Sequence, residues 1–258
     1  MYAKEDYTIE NILKITLETA SMLLKNGADV RRVEDTMIRI CKAYNLKKPE
    51  VFSIASLIII TASEKNGKTL TLTKRIYNNS INLTILEKAN ALSREICENP
   101  EAPSYVMKKI SEIEKNSGNT DKKICLGYML AASSFSVFFG GNLRDAVSSV
   151  IITLILFFGN KYILKPALNR ILYTFIISLL MGITAIFFTN IGIGEHADKI
   201  IIGDIMLLIP GMSLINSMTD MFCGDFVTGT TQAVSALLTT AAIAGGFLFS
   251  FTLTGGFF

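Results

Sequence analysis

The pattern of hydrophobic and polar positions divides the chain into two parts. Up to about residue 120, apolar positions recur at the spacing of amphipathic helices and strands and are mixed with charged residues. Beyond that point, apolar residues form five long runs separated by short polar segments. Each run has roughly the 17–25 residues that a helix needs to cross a bilayer. The five predicted spans are residues 124–140, 146–164, 171–189, 200–219 and 226–251.

The first part predicts a small domain that contains both helices and strands. Asp29 is a candidate N-cap for the second helix, and Asn66-Gly67 between two β-branched runs is typical of a hairpin. The predicted elements are helices at 8–26 and 30–44, strands at 51–63 and 69–76, and helices at 83–98 and 104–114. The sequence therefore predicts an α+β soluble domain, residues 1–120, followed by an α-helical transmembrane bundle of about five helices, residues 121–258.

The charge distribution supports lipid as the solvent of the second part. Of the 25 Lys and Arg residues, 20 precede residue 124, and so do 16 of the 22 Asp and Glu residues. Under the positive-inside rule, the basic residues of the short flanking segments predict a cytoplasmic first domain and a multi-pass protein of the plasma or inner membrane. Those basic residues are Lys122, Lys123, Lys161, Lys165 and Arg170.

Composition excludes several functional classes. A net charge of +3 without a basic stripe gives no indication of nucleic-acid binding. The four cysteines and the single histidine, His196, have no metal-ligand spacing, so we expect no metal site and no cofactor. The first domain has no histidine, no phosphate-binding glycine loop and no nucleophile elbow. The sequence therefore predicts that the protein is not an enzyme.

Polar residues within the apolar runs are the main candidates for a functional site, because each is costly in lipid unless it is paired or faces water. The fourth run contains a Pro-Gly pair with polar residues on both sides, a pattern typical of the broken helices that bind substrate or ions in transporters. The alternative is a structural proline kink, with the carboxylates hydrated at the membrane–water interface. The candidate residues are Asp204, Pro210, Gly211, Asn216, Asp220 and Asp225.

Two charged groups elsewhere have both a functional and an ordinary interpretation. Arg144 and Asp145 start the second run, where Arg144 either pairs with a carboxylate of another span or extends to water. Glu34-Asp35 beside Arg31-Arg32 forms either an active carboxylate cluster or, as we favour, helical ion pairs on a solvated face. His196 is expected to be a solvated loop residue.

Two segments resemble signatures of the threonine/serine exporter family. They are NGADVRRVEDTMIRICKAYNL (Asn26 to Leu46) and LIPGMSLINSMTDMFCGDFVTG (Leu208 to Gly229), in the family's order. The first signature includes Gly27, Arg31, Glu34 and Asp35, and the second includes Pro210, Gly211, Asn216, Gly224 and Gly229 with the two carboxylates Asp220 and Asp225.

The resemblance implies an exporter of small polar metabolites that works by secondary transport. Full-length members carry a second membrane bundle, so this chain resembles the larger subunit of the split type. It implies a separate small membrane subunit, a homo- or hetero-oligomer, and either threonine and serine or dicarboxylates such as succinate as substrates. Asn216 and Asp220 are the predicted contact residues, with Asp204 as a proton or ion carrier. The alternative function is a membrane-anchored sensor or enzyme that acts through the soluble domain.

Overall fold

The computed structural model describes residues 7–77, 81–116, 121–162 and 169–255. Within these ranges the chain forms ten helices and one three-stranded sheet. The helices are α1 (Ile9–Lys25), α2 (Val30–Ala43), α3 (Leu83–Glu98), α4 (Pro103–Asn116), α5 (Asp121–Phe138), α6 (Leu143–Tyr162), α7 (Arg170–Asn190), α8 (Ala197–Ile205), α9 (Gly211–Phe222) and α10 (Phe226–Thr254). The strands are β1 (Lys47–Ile54), β2 (Leu57–Ser63) and β3 (Thr69–Arg75). The predicted domain end at residue 120, the predicted span end at residues 163 and 164, and Lys165 lie outside the described residues.

The chain forms two compact units, and the first is discontinuous in sequence. The first unit consists of Met1–Gly118 together with Met212–Ala233. The second consists of Asn119–Gly211 together with Val234–Phe258. Helix α9 therefore belongs almost entirely to the first unit, and α10 begins in the first unit and continues into the second.

Helix α1 is the centre of the first unit. Its apolar face continues almost around the helix, so that twelve of its seventeen residues are buried. Thr8 caps its start by accepting a hydrogen bond from the Asn11 amide. Helices α2, α3 and α4 and strands β2 and β3 all pack against it. The core of this unit therefore forms around one helix that is covered on most sides.

The sheet is antiparallel, in the order β1-β2-β3. Its central strand alternates buried and partly exposed residues, with Ile58, Ile60 and Ala62 fully buried. Gly67, in the β2–β3 turn, has a φ of +87°, which favours glycine. The run predicted as one strand, 51–63, is two strands, because Ile54 pairs with Leu57 and leaves a two-residue loop between them.

The prediction of five membrane spans is wrong. By length and apolarity, two of the described helices qualify as spans, α7 and α10. The fourth predicted span is interrupted, and its parts α8 and α9 have 9 and 12 residues. At 1.5 Å per residue they are roughly 14 and 18 Å long, against about 30 Å for a hydrocarbon core. Helices α5 and α6 begin with charged residues, which shortens their apolar stretches.

The predicted fold class therefore needs correction. An α+β soluble domain followed by a bundle of about five transmembrane helices does not describe this chain. The described residues are mainly helical, with one small sheet and two candidate spans. The Pro-Gly pair indicated that the fourth run is broken, but nothing in the sequence revealed that its second part packs with the amino-terminal residues.

Small residues allow close contact between the helices of the second unit. A Cβ on Gly203 of α8 would lie 2.7 Å from the carbonyl oxygen of Ala132 and 2.9 Å from the amide nitrogen of Ser136, both on α5. A Cβ on Gly246 of α10 would likewise lie 2.5 Å from the carbonyl oxygen of Phe175 on α7. Backbone atoms cannot rotate away as side chains can, so these contacts require glycine.

We expect Gly203→Ala to destabilise the second unit by about 1–3 kcal/mol, the usual cost of overpacking. The measurement is the midpoint of helix loss on heating, followed by circular dichroism of the full chain in detergent. Gly127→Ala on α5 is the matched control, because a Cβ there meets no atom within 4 Å. Equal midpoints for the two variants would contradict the close α5–α8 contact.

Candidate functional site

The two sequence signatures meet in the first unit, where α9 packs at the start of α2. The side-chain amide of Asn216 donates a hydrogen bond to the Gly27 carbonyl, with Nδ2 and O 3.1 Å apart. Gly27 has a φ of +102° and ends the turn after α1. Two residues later Asp29 caps α2, its Oδ1 2.8 Å from the Arg32 amide. The two signatures thus form one contact, although 189 residues separate Gly27 from Asn216.

Asp220 is the buried carboxylate of this contact, with 1% of its surface exposed. Its Oδ2 accepts a hydrogen bond from Gln232 Nε2 at 3.2 Å. Burial raises the pKa of Asp220 to about 6, and the negative charges of Asp29 and Asp225 add to the rise. The Val30 amide at the start of α2 partly offsets it. This carboxylate therefore exchanges its proton near neutral pH.

Glu34, which is partly buried, is a second acid at the contact between α2 and α9. Its Oε1 accepts hydrogen bonds from the Ser53 amide at 2.6 Å and the Ser53 hydroxyl at 3.0 Å. Burial raises the pKa of Glu34, the Ser53 bonds lower it, and the charge of Asp225 raises it further. Arg31 lies against Cys223 and is attracted by Asp225. We call this group the α2–α9 cluster; its members are Asp29, Arg31, Glu34, Asn216, Asp220, Asp225 and Gln232.

Asp35 is not part of the α2–α9 cluster. It lies on the outer face of α2, where its Oδ2 is 2.9 Å from Arg39 Nε in an ion pair whose side chains are both more than half exposed. Pairs of this kind contribute little to stability. Of the two adjacent acids singled out in the sequence, the structure thus places Glu34 inward and Asp35 in solvent.

The interruption between α8 and α9 lies at residues 206–210, the last of which is Pro210. Proline has no amide hydrogen, so it cannot continue the helical hydrogen bonding. The chain closes α8 with turns in which the amides of Leu207 and Leu208 bond to the carbonyls of Asp204 and Ile205. Gly211 then starts α9, and a Cβ on it would meet no atom within 4 Å.

Asp204 lies just before this interruption and is completely buried in the second unit. Neither of its carboxylate oxygens has a hydrogen-bond partner among the described residues. Three buried hydroxyls of the same unit also have none: Ser136 on α5 and Ser149 and Thr153 on α6. Helices α5, α6 and α8 pack on one another. The described part of the second unit thus contains five buried side-chain oxygens without partners, which is unusual for a protein interior.

A cavity of about 200 Å³ reaches the same region of the second unit. Thr153 lines it, and so do Leu207 and Leu208 of the interruption. Two tyrosines, Tyr128 and Tyr173, add phenol groups to a mostly apolar wall. The second unit therefore combines a buried acid, unpartnered hydroxyls and a space large enough for several water molecules.

Asp145 has a structural environment that differs from that of the other buried acids. Its Oδ1 accepts bonds from the amides of Glu195 and His196 at 2.8 and 2.9 Å. Its Oδ2 accepts from the Asn142 amide at 3.0 Å and lies 2.9 Å from His196 Nδ1. The Asn142 side chain in turn accepts from the Asp145 amide, which completes a capping box at the start of α6.

The carboxylate of Asp145 therefore connects the α5–α6 turn to the loop before α8 through hydrogen bonds. Burial alone raises the pKa of this group, but the hydrogen bonds outweigh it and lower the pKa to about 2. Arg144 pairs with Glu195 at 2.8 Å and is mostly exposed. His196 is thus a partner of Asp145 rather than a residue solvated on all sides.

Sequence reasoning missed several members of these groups. Asn142 and Asp145, three positions apart before an apolar run, could have been recognised as a capping box. Gln232, Ser53 and the unpartnered hydroxyls of α5 and α6 carry no signal of their own in the sequence. Within the described ranges, no group of three or more His, Cys, Asp or Glu side chains is arranged to hold a metal ion.

The sequence matches a known family over most of its length. Residues 14–254 match the family model ThrE, whose description is "Putative threonine/serine exporter". The chain belongs to the threonine/serine exporter family. This confirms the resemblance carried by the two signatures, and it makes the chain a membrane protein of the transport class.

Two curated relatives are similar to this exporter along nearly the whole chain. Both are named "Probable succinate transporter subunit YjjP". The one from Klebsiella aerogenes is 23% identical over 250 residues, which cover 95% of this chain and 94% of the relative. The one from Escherichia coli K12 is 24% identical over 250 residues, which cover 95% of each. No solved structure matches the exporter.

We expect Asp145→Asn to lower the stability of the exporter by about 2–3 kcal/mol at pH 7. A carboxylate whose pKa is lower in the folded state stabilises the fold above its unfolded pKa, near 3.8, and the stabilisation is lost as the pH falls through about 2. Thermal unfolding of the full chain measures the effect. Asp198→Asn, at an exposed acid of α8 paired with Lys199, is the control and should change little. Equal losses in both variants would contradict the role of Asp145.

Asp220→Asn should have an effect that depends on pH. An acid whose folded pKa is raised stabilises the fold fully below its unfolded pKa of 3.8, and that stabilisation is lost as the pH rises through about 6. We expect the wild type to lose about 1–2 kcal/mol between pH 5 and 7.5 that the variant does not lose.

Unfolding midpoints at the two pH values test this expectation. Asp35→Asn serves as the control, because its exposed carboxylate lies outside the α2–α9 cluster and should leave the wild-type pH profile intact. A profile in Asp220→Asn that matched the wild type would show that Asp220 does not titrate in this range.

Proposed function

We propose that the exporter is the larger subunit of a two-component system that carries small dicarboxylates such as succinate out of the cell. The support is the similarity, over about 95% of its length, to two relatives named as succinate transporter subunits. The word "subunit" in those names favours a second membrane protein as partner. Threonine and serine, after which the family is named, are the competing substrates.

The mechanism we propose is secondary transport coupled to protons, and the observation that carries it is Asp204. An ionised carboxylate that is fully buried without a hydrogen-bond partner is very costly, so Asp204 holds a proton in this conformation. To release the proton, the carboxylate must gain water or a new partner. A change in conformation near the interruption at residues 206–210 provides that access.

Asn216 and Asp220 are the proposed substrate-responsive residues. The amide of Asn216 and the near-neutral titration of Asp220 allow this contact to bind or release an anion as the charge of the α2–α9 cluster changes. The positive end of the α9 helix dipole, after Pro210, favours a carboxylate group. Under this proposal the amino-terminal part of the chain faces the cytoplasm, where the substrate is collected.

The function is tested by efflux from cells that produce the exporter with and without a candidate small membrane subunit. Succinate, threonine and serine are measured in the medium after loading. We expect succinate efflux that requires both proteins, and we expect Asp204→Asn to reduce it at least about tenfold, because a permanently neutral side chain cannot carry a proton.

Asp198→Asn is the matched control, since Asp198 is an exposed acid on the same helix and should leave efflux unchanged. Both variants must reach the membrane in equal amounts. Full efflux in Asp204→Asn would refute the proton-carrier role. Efflux of threonine and serine instead of succinate would refute the substrate class but leave export intact.

A further inference from the structure

A polar pocket lies in the first unit, between the outer faces of α2 and α3. It has a volume of about 210 Å³, and its lining includes Arg32, Asp35, Arg39, Asn90, Arg94 and Cys97. We call it the α2–α3 pocket. It shares no residue with the α2–α9 cluster and contains no residue of the second unit. The proposed transport mechanism gives it no role.

The charges of the α2–α3 pocket favour an anion. Three arginines face one carboxylate, that of Asp35, which is already paired with Arg39. Arg32 makes only a long contact with Asp29, at 4.0 Å. Arg94 forms no ion pair with any described residue. A guanidinium group offers two parallel donors to a carboxylate or phosphate, so this set is suited to bind such a group at two points.

The lining residues of the pocket lie on two helices. Arg32, Asp35 and Arg39 are three and four residues apart along α2, and Asn90, Arg94 and Cys97 are four and three apart along α3. Residues at this spacing share one face of a helix. The two helices pack directly against each other and against the α1 core. The donors are therefore held by packed helices rather than by loops.

The size of the pocket limits the ligand. Pockets for drug-sized molecules are roughly 300–1,000 Å³. A pocket of about 210 Å³ with several charged donors is suited to a smaller and more polar molecule. The acceptors of a short dicarboxylate or of a phosphate are spaced closely enough to reach two arginines from one bound position.

We propose that the α2–α3 pocket binds a small dianion, a short dicarboxylate or a phosphate, at a regulatory site distinct from the transport pathway. A bound dianion would neutralise the excess positive charge and hold α2 against α3. Helix α2 also begins in the α2–α9 cluster, so the ligand acts on the helix that positions those acids. The proposed consequence is that a cytoplasmic anion adjusts the activity of the exporter.

The test uses the purified full chain in detergent, with succinate and inorganic phosphate as separate probes in calorimetric titrations. Cys97 gives a local signal, because its partly buried thiol lines the pocket. We expect one or both probes to bind and to slow the reaction of Cys97 with a maleimide, followed by mass spectrometry of the peptide. Binding of succinate alone identifies a dicarboxylate site, and binding of both identifies a general dianion site.

Substitutions then locate the binding. Arg94→Gln and Arg39→Gln should each weaken binding about tenfold or more and remove the protection of Cys97. Arg75→Gln, an exposed arginine of β3 outside the pocket, should bind as the wild type does. Asp204→Asn should also bind normally, which separates this site from the proposed proton carrier. The proposal is overturned if neither probe binds, if Cys97 is not protected, or if both pocket variants bind normally.

Discussion

The interruption of the apolar run at Pro210 is the constraint on which most of the architecture depends. A proline cannot donate the backbone hydrogen bond that would continue α8 into α9. The carbonyls at the end of α8 instead accept hydrogen bonds from the amides of the turns that precede Pro210. The run is thereby divided into two short helices that belong to different units. One buries Asp204 in the second unit, and the other buries Asp220 in the first. An uninterrupted helix through these residues would form neither environment.

Three buried aspartates show how the surroundings of one residue type determine its chemistry. Asp145 accepts hydrogen bonds from backbone amides and remains charged, so it stabilises the contact between two loops. Asp220 has one side-chain partner and two negative neighbours, and it therefore titrates near neutral pH. Asp204 has no partner among the described residues and is held neutral by the cost of burying a charge. Composition and position in the chain do not distinguish these three cases, because each depends on groups that are distant in sequence.

The parts of the fold with local causes could be predicted from the sequence. The predicted helix at 8–26 corresponds to α1, and Asp29 caps α2 as its position indicated. The Asn66-Gly67 turn joins β2 to β3. The five spans could not be predicted correctly from run length, because the Pro210-Gly211 pair indicates a break but not that the two parts belong to different units. The contact between Asn216 and Gly27 was also inaccessible, since nothing in either segment specifies its partner. Family resemblance, by contrast, was visible in two short motifs and was confirmed along the chain.

The discontinuity of the first unit has a consequence for biosynthesis. A ribosome delivers residues from the amino terminus onward, and domains usually fold in that order. Here the α2 start is complete early, but its partner in α9 is translated only after α5 to α8. Until then the Gly27 carbonyl lacks the hydrogen bond that Asn216 donates to it in the finished molecule. Completion of the amino-terminal unit therefore waits until the segment that follows α8 has been translated. A chain that stops before α9 contains every buried residue of the α1 core but lacks the hydrogen bond from Asn216 to Gly27.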